Sequence, residues 1–325
     1  MGLNILSLFD GIGGGRIALD RANIQIDNYY ASEICDYSIA IAQKNWNDIK
    51  EIGDVRNIDG TKYEGHLDLL IGGSPCQNFS FAGKMNGAST KDNIEITTLE
   101  QYLDLKENKF EFDGYSYLIW EYVRILKESK PKYFLLENVK MSKKWRDVIS
   151  NALGVEPIII DSALVSAQTR ERLYWTNIPN ITQPKDKYIY IDDIIQNNIE
   201  HKYLPKTRLD YNNYDKTKVD KTIHKNTATQ IGNSKKFGNS VRSNGKAFTL
   251  RRINPNGIID ENYNIREFTP IEAERLQTLP DNYTLIDGIK NKQRYEAIGN
   301  GWTIDVIAHI LSFIPEINKY KNKKL

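Results

Sequence analysis

The sequence predicts an α/β protein built on a largely parallel sheet, with a smaller irregular region set late in the chain. Three observations predict it. From residue 3 to about 178, short apolar runs alternate with stretches of helical periodicity, the pattern of strands joined by crossover helices. From about 179 to 265 the chain turns rich in Asn, Lys, Tyr, Asp and Thr, and no strong period runs through it. After 266 the periodicity returns. At 325 residues the chain can form one large domain and a smaller one, each with its own core.

Each element has its own signal. "LNILSLF" (3–9) is a buried strand, punctuated by "DGIGGG" and followed by a helix that starts near Gly15. "YYASEI" (29–34) is a second strand, with a helix over about 36–45. Asp54, in "GDVR", stands at the end of a third. "LDLLIGG" (67–73) is a buried strand that runs into a long polar loop, Ser74 to about Asp113. Loops of that length in compact domains are usually functional or mobile. "YSYLIWEYVRILKE" (115–128) has helical spacing, and "KYFLLEN" (132–138) is a further strand. "WRDVISNALG" is a helix ending at Gly154, and "EPIIIDSALV" a strand. Beyond the irregular stretch, "TPIEAERLQTLP" (269–280) has Thr269 as N-cap, Pro270 at the first helical position and Glu272 to complete a capping box. "TIDVIAHILSFI" (303–314) is an apolar helix stopped by Pro315, and "KYKNKKL" is a basic tail.

Composition narrows the class. Hydrophobic residues are 40% and charged residues 26%, as in ordinary soluble proteins. No apolar run approaches the ~18 residues of a membrane helix. The N-terminal apolar run ends at Asp10 with no basic segment before it, so no signal peptide is expected and a cytoplasmic location is. The only cysteines, Cys35 and Cys76, give neither a disulfide framework nor a four-ligand metal site. The net charge of +2 hides an asymmetry. Between 221 and 259 lie Lys221, Lys225, Lys235, Lys236, Arg242, Lys246, Arg251 and Arg252, with no Asp or Glu among them. A polyanion is one reading of such a stretch, and a solvated loop region the other.

Several residues carry chemistry. Gly11, Gly13 and the glycines after them nearly match the dinucleotide fingerprint, which fails at Arg16. Glu33 at the end of the next strand is placed to accept from ribose hydroxyls, and Asp54 is in reach of an adenine amino group. Either these form a nucleoside pocket or the glycines make a structural turn. In "GGSPCQNFS", Pro75 fixes its own φ and drives Ser74 to extended geometry. Cys76 is thereby held at the carboxyl end of a strand, where α/β ligand sites form. A free thiol near a helix start or cationic groups becomes a nucleophile; most single cysteines are small buried hydrophobes, and Cys35 is read as one. Glu137 ends a wholly apolar strand, where desolvation favours a protonated carboxyl suited to a nitrogen base. The other reading is a salt-bridged strand-end acid. Arg170 and Arg172 stand two apart on an extended segment, hence on one face of it.

The order of these blocks is more specific than any one of them. "LFDGIGGG", "SEI", "GDV", "GGSPCQNFS", "ENV", "SAQTRERLYW", "REFTPIEAERLQTLP" and "AIGNGW" resemble the cytosine-C5 DNA methyltransferase family of bacteria and phages, motif by motif and in the family's order. "ASEICDYSI" and Trp302 are closer to the animal de novo branch, and Gly299-Asn300-Gly301-Trp302 stands where bacterial members have Gly-Asn-Ser-Val. The resemblance implies a Rossmann-like S-adenosylmethionine-dependent methyltransferase fold. Its catalytic domain would occupy 1–178, its target-recognition domain 179–265, and 266–325 would return to the catalytic domain, with helix 303–314 packed on the N-terminal sheet.

It also implies roles. Cys76 would attack C6 of a flipped cytosine in duplex DNA, Glu137 would hold N3 and the exocyclic amine, and Arg172, with Arg170 near it, would bind O2. S-adenosyl-L-methionine would lie against Phe9, Asp10, Gly11, Ile12, Glu33, Ile34, Asp54, Val55, Pro75, Leu118, Asn300, Gly301 and Trp302, with 114–118 at its methionine end. Gln77, Ser80 and Lys84 would close on the flipped base, and Lys235, Lys236, Arg242, Arg251 and Arg252 would meet DNA. A monomer, with a restriction endonuclease acting on the same site, fits the family. Two other functions are weighed. The tRNA-methylating branch carries a Cys-Phe-Thr signature that this chain lacks. Inactive regulatory relatives lose the Pro-Cys and Glu motifs, which stand here.

Overall fold

The structure, a computed structural model, describes residues 2–79, 87–197, 199–200, 203, 226–230, 241–251, 256–259 and 265–315. Ser80, Lys84, Lys235, Lys236, Arg252 and the basic tail lie outside the described residues. The chain divides into two compact units, one spanning 1–160, 171–182 and 308–325, the other 161–170 and 183–307.

The first unit is built on seven strands: β1 (Leu3–Leu8), β2 (Ile26–Ser32), β3 (Ile49–Glu51), β4 (Leu69–Gly73), β5 (Tyr133–Val139), β6 (Ile158–Asp161) and β7 (Glu171–Thr176). Their order is β3-β2-β1-β4-β5-β7-β6. β1 pairs parallel with β2 and β4, and β4 pairs parallel with β5. β7 runs antiparallel to β5, so the sheet is largely parallel, not wholly so. Ile5, Leu6, Leu8, Leu69, Leu70, Ile71, Leu135 and Leu136 are fully buried, which explains why these strands read as continuous apolar runs. The helices are α1 (Gly14–Arg21), α2 (Asp36–Asn45), α3 (Leu99–Glu107), α4 (Ile119–Ser129) and α5 (Lys143–Leu153). α3 falls inside the stretch expected to be one long loop. Thr98 caps it by accepting from Gln101 N–H, and its buried face is Leu99, Tyr102 and Leu105. Strand order reverses between β1 and β4, and ligands of open α/β sheets bind outside the carboxyl ends at such a point.

The second unit has its own sheet where the sequence shows no period. β8 (Thr227–Gln230), β9 (Val241–Arg242), β10 (Asn256–Ile259) and β11 (Ile265–Glu267) form a four-stranded antiparallel sheet in the order β11-β10-β8-β9. A short helix α6 (Ile191–Ile194) precedes it, and α7 (Pro270–Leu276) and α8 (Asn291–Asn300) follow. The capping box at Thr269 and Glu272 forms as the sequence predicts. Glu272 also pairs with Arg266 at 2.7 Å, and fully buried Glu274 with Arg294 at 2.9 Å. The compact second unit therefore takes in α7 and α8, beyond the expected boundary at 265. Helix α9 (Ile304–Leu311) starts in this unit, and its residues from Ala308 onward fall in the first.

Candidate active site

Two groups of residues gather at the carboxyl ends of the first unit's strands. The first lies after β1, β2 and β3. Phe9 has φ 58°, the left-handed region that side chains rarely adopt. Gly11, at φ 63°, has no atom within 4 Å of where a Cβ would stand, so the turn is open on that side. A Cβ on Gly15 would lie 2.6 Å from Tyr29 Oη and press into Ile71. Gly15 is thus the glycine that lets helix meet sheet, one place earlier than in the dinucleotide fingerprint. Arg16 is thereby free to turn away; its Nε donates to Asp48 at 2.9 Å and its guanidinium lies over the Trp46 ring at 4.2 Å.

Glu33 fastens the turn. One carboxylate oxygen accepts Gly11 N–H at 2.8 Å, and the other accepts the N–H groups of Ile34 and Cys35 at 2.8 and 2.9 Å. A carboxylate has about four acceptor sites, so one is left for a ligand hydroxyl. Ile34 beside it is exposed, while Ile12 is buried. Asp54 caps the short turn Val55–Asn57 and accepts from Arg56, whose hydrogen bonds hold its carboxyl below the usual range. Two further carboxyls stand behind this edge. Asp10 is buried and accepts from Tyr29 O–H at 2.6 Å; burial pushes its carboxyl up to about 6. Glu51, at the end of β3, is pushed up to about 7 by burial and then by the charges of Asp10 and Glu33. Neither oxygen of Glu51 has a hydrogen-bond partner among the described residues. Sequence reasoning missed Glu51, because a three-residue strand has no readable period.

The second group lies at the carboxyl ends of β4 and β5 and at the amino end of β7, which runs antiparallel to β5. Gly73 pairs with Glu137 across β4 and β5, and Glu137 and Val139 pair with Tyr174 and Arg172 across β5 and β7. That register brings Arg172 Nε to 3.0 Å from Glu137 Oε1, with both side chains largely buried. The paired acid, one of the two readings of Glu137, is what forms. β4 leads into Ser74, Pro75 and Cys76. Asn138, fully enclosed beside Glu137, donates from Nδ2 to Ser74 Oγ at 3.0 Å. Cys76 is half-buried and in no disulfide, and its carbonyl accepts Phe79 N–H at 3.0 Å. Phe79 is buried edge-on against Trp145, which seats the turn, and Gln77 is exposed. Leu118, buried, closes the turn Ser116–Leu118 that opens into α4.

The second unit holds the remaining residues. Arg170 does not share a strand face with Arg172, because it lies before β7. Its N–H donates to Asp161 at 2.8 Å, and its guanidinium donates to the carbonyls of Leu250, Gly299 and Gly301 at 3.1, 3.3 and 2.9 Å. Gly301 O also accepts from Gln277 Nε2 at 3.0 Å, while Asn300 ends α8 exposed and Trp302 is half-buried. Among the basic stretch, Arg242 lies over the Phe248 ring at 4.3 Å and Arg251 is exposed. Lys246 is an exception within that stretch. It is buried, and its Nζ donates to the carbonyls of Ala163, Ser166 and Ile189 at 2.7, 3.1 and 2.6 Å.

This arrangement can be set beside known proteins. The sequence profile of C-5 cytosine-specific DNA methylases matches residues 3–316. The chain belongs to that family. It is a DNA cytosine-C5 methyltransferase. The Type II methyltransferase M1.ScrFI of Lactococcus lactis subsp. cremoris is 29% identical over 98% of this chain and 79% of its own length. The Type II methyltransferase M.HhaI of Haemophilus parahaemolyticus is 26% identical over 95% of this chain and 93% of its own. Among solved structures, the Entamoeba histolytica methyltransferase EhMeth superposes with a TM-score of 0.67 at 19% identity, over 97% of this chain and 98% of that one. Spodoptera frugiperda DNMT2 gives 0.65 at 18%, over 96% and 99%. At such identities these two share the methyltransferase fold.

Proposed function

We propose that this methyltransferase works through a covalent adduct between Cys76 and C6 of a cytosine flipped out of duplex DNA. The observation that supports it best is the Glu137–Arg172 pair at 3.0 Å, with Glu137 on β5, the strand beside the one that leads into Cys76, and Arg172 on β7, the next strand over. C5 of cytosine is a poor nucleophile. When the Cys76 thiolate bonds to C6, Glu137 supplies a proton at N3 and the ring becomes enamine-like, with electron density at C5. Arg172 orients Glu137 and binds the ring's O2. C5 then takes a methyl group and loses its proton to a base, the Cys76–C6 bond breaks by β-elimination to release the thiolate, and N3 returns its proton to Glu137. Flipping the base costs a few kcal/mol.

S-adenosyl-L-methionine, when bound, supplies an electrophilic methyl group. The residues after β1, β2 and β3 fit it: an open turn at Gly11, an acceptor site left on Glu33, a charged Asp54 and an exposed Ile34. Phe9, Asp10 and Ile12 follow β1 and Val55 follows β3, while Pro75, Leu118, Asn300, Gly301 and Trp302 are assigned to it by family position. Arg170 is read as a positioning residue, since its donors hold backbone carbonyls. The stretch 179–265 is read as the target-recognition domain, with Lys235, Lys236, Arg242, Arg251 and Arg252 meeting phosphates and Gln77, Ser80 and Lys84 meeting the flipped nucleotide. A restriction endonuclease of the same specificity, a monomeric enzyme and the cytoplasm complete the reading.

The test is methyl transfer from labelled S-adenosylmethionine to mixed-sequence duplex DNA, with structured RNA as control, followed by nucleoside analysis. Label in 5-methyldeoxycytidine supports the reading. Label only in RNA would move it to the tRNA branch, and cofactor binding without transfer to either would move it to an inactive relative.

A further inference from the structure

The turn that carries Cys76 is anchored by a residue outside the set assigned above. Asn78, two residues on, is 8% exposed and has its polar groups engaged by neighbours far along the chain. Its N–H donates to Ser116 Oγ at 2.9 Å. Its side-chain Nδ2 donates to Asp113, to the carbonyl and to Oδ2, both at 3.3 Å. Its carbonyl accepts Gly87 N–H at 3.0 Å. Ser116 is itself fully buried. Gly114, at φ 60°, makes the approach possible, since a Cβ there would lie 3.3 Å from Asn78 Nδ2.

These bonds do more than fill hydrogen-bonding capacity. They tie the turn after β4 to segment 113–118, which opens into α4 through Leu118. Asn138 holds the same turn from its other side, at Ser74. Cys76 therefore sits between two anchors, each two residues away. An α/β strand end alone fixes the backbone only as far as Gly73; beyond it, position depends on such side-chain contacts.

We propose that Asn78, held by Ser116 and Asp113, is a positioning residue that fixes the Cys76 thiol for attack on the base. The proposal rests on the reading of Cys76 as nucleophile. Misplacement of a reacting group by an ångström lowers rates by on the order of 100-fold, so the latch acts on the chemical step. It leaves the ligand-binding edge after β1, β2 and β3 alone, because none of its bonds reaches that edge.

The experiment is the rate of covalent adduct formation on mixed-sequence duplex DNA containing 5-fluorocytosine, with S-adenosylmethionine saturating. It compares the full-length wild type with Asn78→Ala, Ser116→Ala and Ser116→Thr, each corrected for folded fraction by circular dichroism. The expected result is a roughly 10- to 100-fold slower adduct for Asn78→Ala and Ser116→Ala. Cofactor affinity should stay within about threefold in Asn78→Ala, and Ser116→Thr, which keeps the hydroxyl, should recover most of the adduct rate lost in Ser116→Ala. Adduct rates within about twofold of wild type in both alanine variants would overturn the proposal. If Ser116→Ala fails to fold, Asn78→Ala and Asn78→Asp decide, the latter by setting a second carboxylate against Asp113. A wild type that forms no adduct at all would instead remove Cys76 as nucleophile, a different failure.

Discussion

The two halves of the sheet's carboxyl edge are built on opposite electrostatic plans. After β1, β2 and β3 stand Asp10, Glu33, Glu51 and Asp54, and of these only Asp54 has a cation bonded to it, Arg56, among the contacts described. Burial, and after it the charge of neighbouring carboxylates, Glu33 for Asp10 and both Asp10 and Glu33 for Glu51, pushes Asp10 and Glu51 up to about 6 and about 7. At the carboxyl ends of β4 and β5, Glu137 faces the Arg172 guanidinium of antiparallel β7 at 3.0 Å, near the turn of Cys76. The first half offers acceptors and a nearby reservoir of protons. The second pairs an acid with a base-orienting cation next to a nucleophile. The difference fits the proposed division of labour, in which one half holds a ligand rich in donors and the other carries the covalent step.

Variants can break that division. Cys76→Ser should lower methyl transfer by about 10⁴-fold or more, with cofactor and DNA affinity kept; substantial turnover would remove the nucleophile from this half. Glu137→Gln should cost about 10²- to 10⁴-fold in turnover and leave the cofactor constant alone, as read by single-turnover kinetics beside calorimetric titration. On the other half the pattern should invert. Glu33→Ala should weaken cofactor affinity about 10- to 100-fold, the loss of one or two charged hydrogen bonds, with little change in DNA affinity; an unchanged cofactor constant would refute the ribose contact.

The smallest effect sharpens the electrostatic contrast. Asp10 and Glu51 hold protons more tightly in the folded protein than in the unfolded chain, where carboxyls titrate at 3.8 and 4.5. Their contribution to stability is therefore fully present below about pH 4 and is lost as pH rises through about 6 and about 7. Thermal unfolding followed from pH 5 to 8 should show this loss, and Glu51→Gln should flatten it. Parallel curves for the two proteins would mean that Glu51 does not titrate in this window.

Much of the site was legible in the sequence, for a physical reason. Residues at strand ends such as Cys76 and Glu137 come with the short apolar runs that form the buried strands β4 and β5, so their placement comes with the strand. The capping box at Thr269 is equally local. α3 was passed over, although Thr98 followed by Gln101 three residues on was a readable helix start. What could not be read is long-range. Asn78 meets Ser116 and Asn138 meets Ser74 across 38 and 64 residues, and no local pattern announces either. Lys246 and Arg170 mislead in the same way: composition counts their charges, but only the fold shows that both are spent on backbone carbonyls.

The central claim is that Cys76 attacks the base while Glu137 and Arg172 stand ready beside it. Its most direct test is mass-spectrometric mapping of the adduct trapped on 5-fluorocytosine DNA in the presence of S-adenosylmethionine. Fluorine at C5 blocks β-elimination, so the account predicts one cross-linked peptide, in which Cys76 is bonded to C6 of a fluorocytosine ring that carries the methyl group on C5. A cross-link on any other residue, or methylated DNA with no trapped protein, would contradict it.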